Sequence, residues 1–159
     1  VKGHGFSIHA CVLRPFSRGS VTLNSADPRA APRIDPNFLS DDRDMAVLKA
    51  GVRLMHRIAS APPLTDYAAA PRQAVDVQDD AALEAEIRAR ADTVYHPVGT
   101  CRMGSDDGSV VDTRLRLRGI DALYVADASI MPRLVSGNTN APSIMIGERA
   151  ADFVAADLR

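Results

Sequence analysis

From Tyr95 to Gly147 the chain repeatedly follows a short apolar run with polar residues punctuated by Gly and Pro, and this pattern limits the fold more than any other feature. Two segments carry it. The first is Tyr95-His96-Pro97-Val98-Gly99-Thr100-Cys101-Arg102-Met103-Gly104. The second is Val125-Ala126-Asp127-Ala128-Ser129-Ile130-Met131-Pro132, which runs on into Ser136-Gly137-Asn138-Thr139-Asn140-Ala141-Pro142-Ser143. Rigid extended backbone that ends in such a loop is how a strand delivers a reactive side chain. Apolar residues from Ile144 onward read as a helix whose first turn begins in the polar cluster. A helix N-terminus has unpaired N–H donors and partial positive charge, and suits an anionic ligand group.

Upstream, Phe6 to Arg14 alternates, with Phe6, Ile8, Ala10 and Val12 on one face and Ser7, His9, Cys11 and Leu13 on the other; period two predicts a strand. Pro15 to Gly19 interrupts it. Ser20 to Asn24, with Val21 and Leu23 aligned, is a second strand expected to pair antiparallel with the first. The proline-bearing loop Asp27 to Pro36 leaves room for a short edge strand near Arg33-Ile34. Met45, Leu48, Val52, Met55 and Ile58 recur at helical spacing, which predicts a helix capped by Ser40 or Asp41 and stopped by Pro62-Pro63. Asp79 to Arg90 is a more polar helix, anchored only by Leu83 and Ile87 and expected to pack weakly at the surface.

Thr93 to Val98 is extended, because His96 precedes a proline. Ser105 to Gly108 is a turn. Leu115 and Leu117 alternate with Arg114, Arg116 and Arg118 in a half-exposed strand, and Gly119-Ile120-Asp121 turns the chain into a strand at Leu123 to Ala126. The last helix, about Ala141 to Leu158, places Ile144, Gly147, Ala151, Val154 and Leu158 on one face. Strands, helices, strands and a helix in that order predict an α+β fold, an antiparallel sheet with flanking helices in one domain over residues 1–159.

With 19 basic and 20 acidic side chains among 159 residues, the net charge of -1 offers no basis for nucleic-acid or membrane-surface binding. No apolar run approaches the roughly 20 residues that span a bilayer, and no signal-peptide pattern opens the chain. Cys11 and Cys101 make neither a disulfide framework nor a metal site. Cys11 is expected in the core and Cys101 to be a small packing residue near the site, in a reducing, cytoplasmic setting. Val1-Lys2-Gly3-His4-Gly5 has no initiator Met, which points to a piece of something longer. G-x-G-x-x-G, P-loop and H-E-x-x-H patterns are absent, and the histidines at 4, 9, 56 and 96 are not spaced as ligands, so no metal is expected.

His96 stands apart through its neighbours. A pre-proline His followed by Gly99 and Gly104 has a fixed direction and can be closely approached. Imidazole titrates close to neutral pH, so it can take a proton and return it. Read from the residues alone, it is either a base or a hydrogen-bonded core histidine. Likewise Gly137-Asn138-Thr139-Asn140 is either a ligand loop or an ordinary loop in which Asn140 caps the helix and Pro142 sits in its first turn. Asp127-Ala128-Ser129 is open to the same two readings.

Three segments resolve these alternatives by resemblance: Tyr95 to Gly104, Val125 to Pro132, and Gly137 to Glu148. In sequence and order they resemble the C-terminal signatures of the glucose–methanol–choline (GMC) oxidoreductases, closest to the choline-dehydrogenase-like and aliphatic-alcohol dehydrogenases. The resemblance implies a flavin-dependent enzyme that oxidises a CH–OH group by hydride transfer to FAD. His96 falls at the position of the catalytic base, and Asn138 at that of its partner, an amide that can donate a hydrogen bond to the substrate oxygen. Asp127 and Ala128 match positions along the ribityl and pyrophosphate part of FAD. Thr139, Asn140 and the start of the last helix match the wall beside the pyrimidine edge of the flavin.

The family's G-x-G-x-x-G fingerprint has no counterpart here. The implied partners are therefore a small alcohol and an N-terminal FAD-binding portion, with the strand at Leu123 to Ala126 and the final helix completing the cofactor domain. FAD is not expected to bind this fragment alone, nor is turnover. Apolar surface around Val125 and Ile130 is expected to lie open where the missing portion would cover it. A non-catalytic binding or regulatory module that kept the fold is the alternative.

Overall fold

The structure, a computed structural model, describes residues 5–67 and 74–158. Val1 to His4 lie outside the described residues, so the readings of His4 and of the opening residues do too. The chain is α+β, and it divides into two compact units. One comprises Val1–Arg18 and Asn37–Val94, the other Gly19–Pro36 and Tyr95–Arg159.

In the first unit, α1 (Asp42–Ala59) begins at Asp41, whose carboxylate accepts from the Arg43 N–H in the usual manner of an N-cap. Helix α2 (Asp80–Arg90) is capped by Asp79, which accepts from the N–H groups of Ala81 and Ala82. Met45 of α1 is buried with Leu83 and Ile87 of α2, and Leu39, Leu48 and Val52 pack around them. The expected weak packing of α2 is therefore corrected. Two anchors one turn apart suffice because Leu83 is completely buried, and because Lys49 Nζ lies 2.7 Å from both Asp80 and Glu84. The α1 stripe is shorter than its sequence suggests, since Ile58 is exposed. An 11-residue helix covers only part of an 18-residue one.

Phe6 to Arg14 is not a strand. Its alternation reflects one covered side rather than a ladder: Ile8, Ala10 and Val12 are half-buried, while His9, Cys11 and Leu13 are exposed. Ala10 lies so close to α1 that a Cβ placed on Gly51 would come within 2.9 Å of the Ala10 Cβ. Cys11, expected in the core, faces outward for the same reason.

In the second unit, β1 (Ser20–Thr22) pairs antiparallel with β2 (Arg33–Asp35), with Val21 opposite Ile34. The expected partner of the Ser20 strand was the Phe6 segment; the chain instead returns through the proline-bearing loop and pairs locally. Beyond Tyr95 the expected strands reduce to isolated bridges, Met103 with Val111, Val111 with Leu117 and Arg116 with Tyr124. Leu115, at φ 67°, breaks the regular ladder that its alternation with arginines suggests.

These bridges wrap a core of Val111, Leu115, Ile130, Met131, Ile146 and Ala150, with Val98, Met103, Val125 and Phe153 against it. Helix α3 (Asn140–Asp157) supplies Ile146 and Ala150, so its buried face is displaced from the expected one, and Ile144 is 61% exposed. The expectation of open apolar surface at Val125 and Ile130 is likewise corrected. Ile130 is turned into the core, Val125 packs against it, and the exposed apolar side chains of this unit include Leu123, Val135, Ile144 and Met145 instead. Asp157 anchors the end of α3, accepting from Arg114, Arg116 and the Tyr124 hydroxyl.

Candidate active site

Backbone hydrogen bonds join the first two polar segments. Cys101 N–H donates to the Ser129 carbonyl at 3.0 Å, and Met103 N–H to the Ile130 carbonyl at 2.8 Å. Just before Cys101 the chain turns tightly at Gly99, where φ is +94° and a Cβ would meet the Met131 carbonyl oxygen at 3.4 Å. Asp127 opens a short 3-10 turn (Ala128–Ile130), its Oδ1 accepting from the Ser129 N–H at 2.7 Å. The Asp127 side chain is otherwise exposed, whereas Ser129 Oγ is buried and has no hydrogen-bond partner.

The third segment joins the first through a side chain. His96 is half-buried, and its Nδ1 lies 3.1 Å from Thr139 Oγ1 across 43 residues of chain. The Thr139 N–H points at the same nitrogen from 3.5 Å. His96 is held between Tyr95, whose φ of 63° is left-handed, and Pro97. A non-glycine residue in that region costs about 1–3 kcal/mol and persists only where surrounding structure imposes it, commonly at functional sites.

Thr139 occupies the N-cap position of α3, where Asn140 was expected, and Asn140 is the first helical residue. Thr139 has helical φ and ψ of -86° and -2°, and its side chain makes no cap hydrogen bond. A capping side chain needs an extended backbone to reach over the first turn. Denied that geometry, the hydroxyl faces His96. The Thr139 carbonyl accepts from the Ser143 N–H at 3.0 Å and the Ser143 hydroxyl at 2.7 Å. Asn138 and Asn140, on either side, are exposed.

The six residues singled out from sequence thus fall into two groups. His96 and Thr139 are in direct contact, with Asn138 and Asn140 their chain neighbours. Asp127 and Ala128 belong to the segment tied in through Cys101 and Met103. The His96–Thr139 pairing itself was not read from the sequence, because its one signal is a threonine next to a helix start, which ordinarily caps. Among the described residues no group of three His, Cys, Asp or Glu side chains is placed to hold a metal, and no helix is long and apolar enough to cross a membrane.

Residues 15–147 match the profile of the family described as GMC oxidoreductase. The chain is 49% identical over 155 residues to an alcohol dehydrogenase [acceptor] of Pseudomonas putida, covering 96% of this chain and 28% of that protein. It is 42% identical over 155 residues to an oxygen-dependent choline dehydrogenase of Klebsiella pneumoniae, covering 97% and 28%. Among solved structures, a formate oxidase of Aspergillus oryzae, in a variant made to study modification of its FAD, superimposes with a TM-score of 0.84 at 32% identity, over 92% of this chain and 26% of that one. This chain belongs to the GMC oxidoreductase family. It spans less than a third of the length of these relatives.

Proposed function

We propose that this chain is the C-terminal, catalytic and substrate-binding part of a flavin-dependent alcohol dehydrogenase or oxidase, with His96 as the general base. The observation that carries the reading is the contact between His96 and Thr139, which brings two distant family segments together at one imidazole. Relatives of 42–49% identity that are alcohol and choline dehydrogenases support the substrate class.

The residues present fit FAD on structural grounds. No side chain caps the first turn of α3, Asn138 and Asn140 are exposed beside it, and Ile144 and Met145 offer apolar contact from the same helix. An uncapped helix start presents N–H donors and positive potential to an electron-rich ring edge. Thr139 and Asn140 would hold that edge, and Asp127 and Ala128 the ribityl and pyrophosphate part, with the remainder of the protein supplying the dinucleotide fold. When bound, FAD supplies the hydride acceptor for the carbinol carbon.

His96 takes the hydroxyl proton as the alkoxide develops, and such assistance contributes about 10²–10⁴ in rate. Asn138 cannot act as a base. Its amide donates to the substrate oxygen and stabilises the charge that proton removal leaves.

The test is anaerobic flavin bleaching in the full-length protein with a panel of primary alcohols. His96→Ala should slow bleaching by orders of magnitude while the bound flavin spectrum is retained. Near-normal reduction in that variant would reject the assignment of the base.

A further inference from the structure

We propose that Thr139 is a positioning residue for His96, its hydroxyl selecting the imidazole tautomer by accepting the Nδ1 proton. The proposal deepens the reading of His96 as a base and rests on it.

A neutral imidazole carries one proton, so a ring that accepts the alcohol proton at Nε2 must hold its own on Nδ1. That N–H needs an acceptor. Among the described residues two groups face Nδ1, and both belong to Thr139: the hydroxyl oxygen at 3.1 Å and the backbone N–H at 3.5 Å. They act in opposite senses. The amide can only donate, so it favours a bare Nδ1 and puts the ring proton on Nε2, where it would block the base. A hydroxyl can donate or accept. It is the nearer of the two, and only it can receive Nδ1–H.

Two features hold Oγ1 for this role. It is not engaged in capping α3, although Thr139 stands at the cap position. The residue is also fixed from its other end, since its carbonyl receives both the N–H and the hydroxyl of Ser143 in the first turn. The hydroxyl is thereby set against the imidazole by the helix itself. Loss of the hydroxyl alone would leave the amide as the sole group facing Nδ1 and would reverse the tautomer without moving the ring.

The experiment is long-range ¹H–¹⁵N NMR of histidine-labelled full-length protein, with the His96 signals assigned by their loss in His96→Gln. Wild type should show a protonated Nδ1 and a bare Nε2. Thr139→Val, of nearly the same shape, should show the reverse, and Thr139→Ser should restore the wild-type pattern. In step with this, Thr139→Val should lower the rate of flavin reduction on the order of 10²-fold or more, with a much smaller change in KM. A wild-type ring protonated on Nε2, or a Thr139→Val ring still protonated on Nδ1, overturns the proposal, and the wild-type measurement stands whether or not Thr139→Val folds. Failure here is separable from failure of the base itself. The base falls if His96→Ala reduces flavin normally, whereas the tautomer assignment falls on the spectrum while His96→Ala remains inactive.

Discussion

Ser17 donates twice to one oxygen of Asp44, through its backbone N–H at 2.8 Å and its hydroxyl at 2.6 Å. The Phe16 N–H donates to the other carboxylate oxygen at 2.8 Å, and Ser17 Oγ accepts from the Asp41 N–H at 3.1 Å. Asp44 lies in the first turn of α1, where the helix dipole favours an anion, and the residue is only 2% exposed. This carboxylate is the clamp between the start of α1 and the segment that precedes β1. Asp44→Ala leaves three part-buried donors of Phe16 and Ser17 without their acceptor and should cost about 3 kcal/mol, read as a lower urea midpoint, with Ser17→Ala costing about 1 kcal/mol.

Acid should release the same clamp. Burial alone would raise the Asp44 pKa, but the Ser17 hydroxyl and the Phe16 and Ser17 N–H groups together outweigh it and leave the carboxyl below its usual value. A hydrogen bond from Arg43 lowers Asp41 to about 2, and one from Arg102 does the same for Asp106. With the folded pKa depressed, the unfolded state binds more protons in the window between the two values. The stabilisation is therefore full above the unfolded carboxylate value of about 3.9 and is lost as pH falls below it. The exposed pairs at Asp41 and Asp106 are screened by solvent and add little. Urea midpoints measured from pH 5 to pH 2 should fall steadily, and Asp44→Asn, which cannot titrate, should flatten part of that slope, the rest belonging to carboxylates such as Asp157, which hydrogen bonds from Tyr124, Arg116 and Arg114 also hold below the usual range.

Leu83 of α2 makes the complementary case for apolar packing. It is fully buried against Met45 and Ile87, and the α2 face outside it is polar. Leu83→Ala should cost about 2–5 kcal/mol through lost transfer energy and the cavity left behind. Hydrogen exchange should show the α2 amides losing protection first, because no other large side chain on that helix is buried as deeply. Unchanged protection of α2 in a folded Leu83→Ala protein would mean that the Lys49–Asp80–Glu84 ion pairs hold the helix instead.

The helices were legible because their signals are local. Asp41 and Asp79 stand where caps belong, and the Met45 to Val52 stripe and the Leu83–Ile87 pair each state which face is inward. The Phe6 segment misled because alternation marks a segment covered on one side, whether a sheet or a helix covers it; here Ala10 meets Gly51 of α1. Pairing partners depend on where the chain returns, and no residue in β1 encodes β2 as its neighbour. On α3 the apolar residues go nearly all the way round, so periodicity could not separate Ile146 and Ala150 from the exposed Ile144 and Met145. At the candidate site, Pro97, Gly99 and the family resemblance single out His96 as a candidate. Its contact with Thr139 was not legible, because the departure of Thr139 from capping depends on a backbone conformation rather than on residue type.

Asn138 allows a graded test of the site. It is exposed and adjoins the threonine that contacts His96, so its substitution removes no core packing. In the role proposed for it, the amide contributes one hydrogen bond to the substrate oxygen, and a hydrogen bond of that kind is worth about 0.5–1.5 kcal/mol. Asn138→Ala should therefore slow anaerobic flavin reduction by about 2- to 13-fold, far less than His96→Ala. Stopped-flow absorbance of the full-length protein measures both on one scale. A loss in Asn138→Ala as large as that in His96→Ala would show that the amide does more than donate to the substrate. No loss at all would place the substrate oxygen out of its reach and leave His96 to act without it.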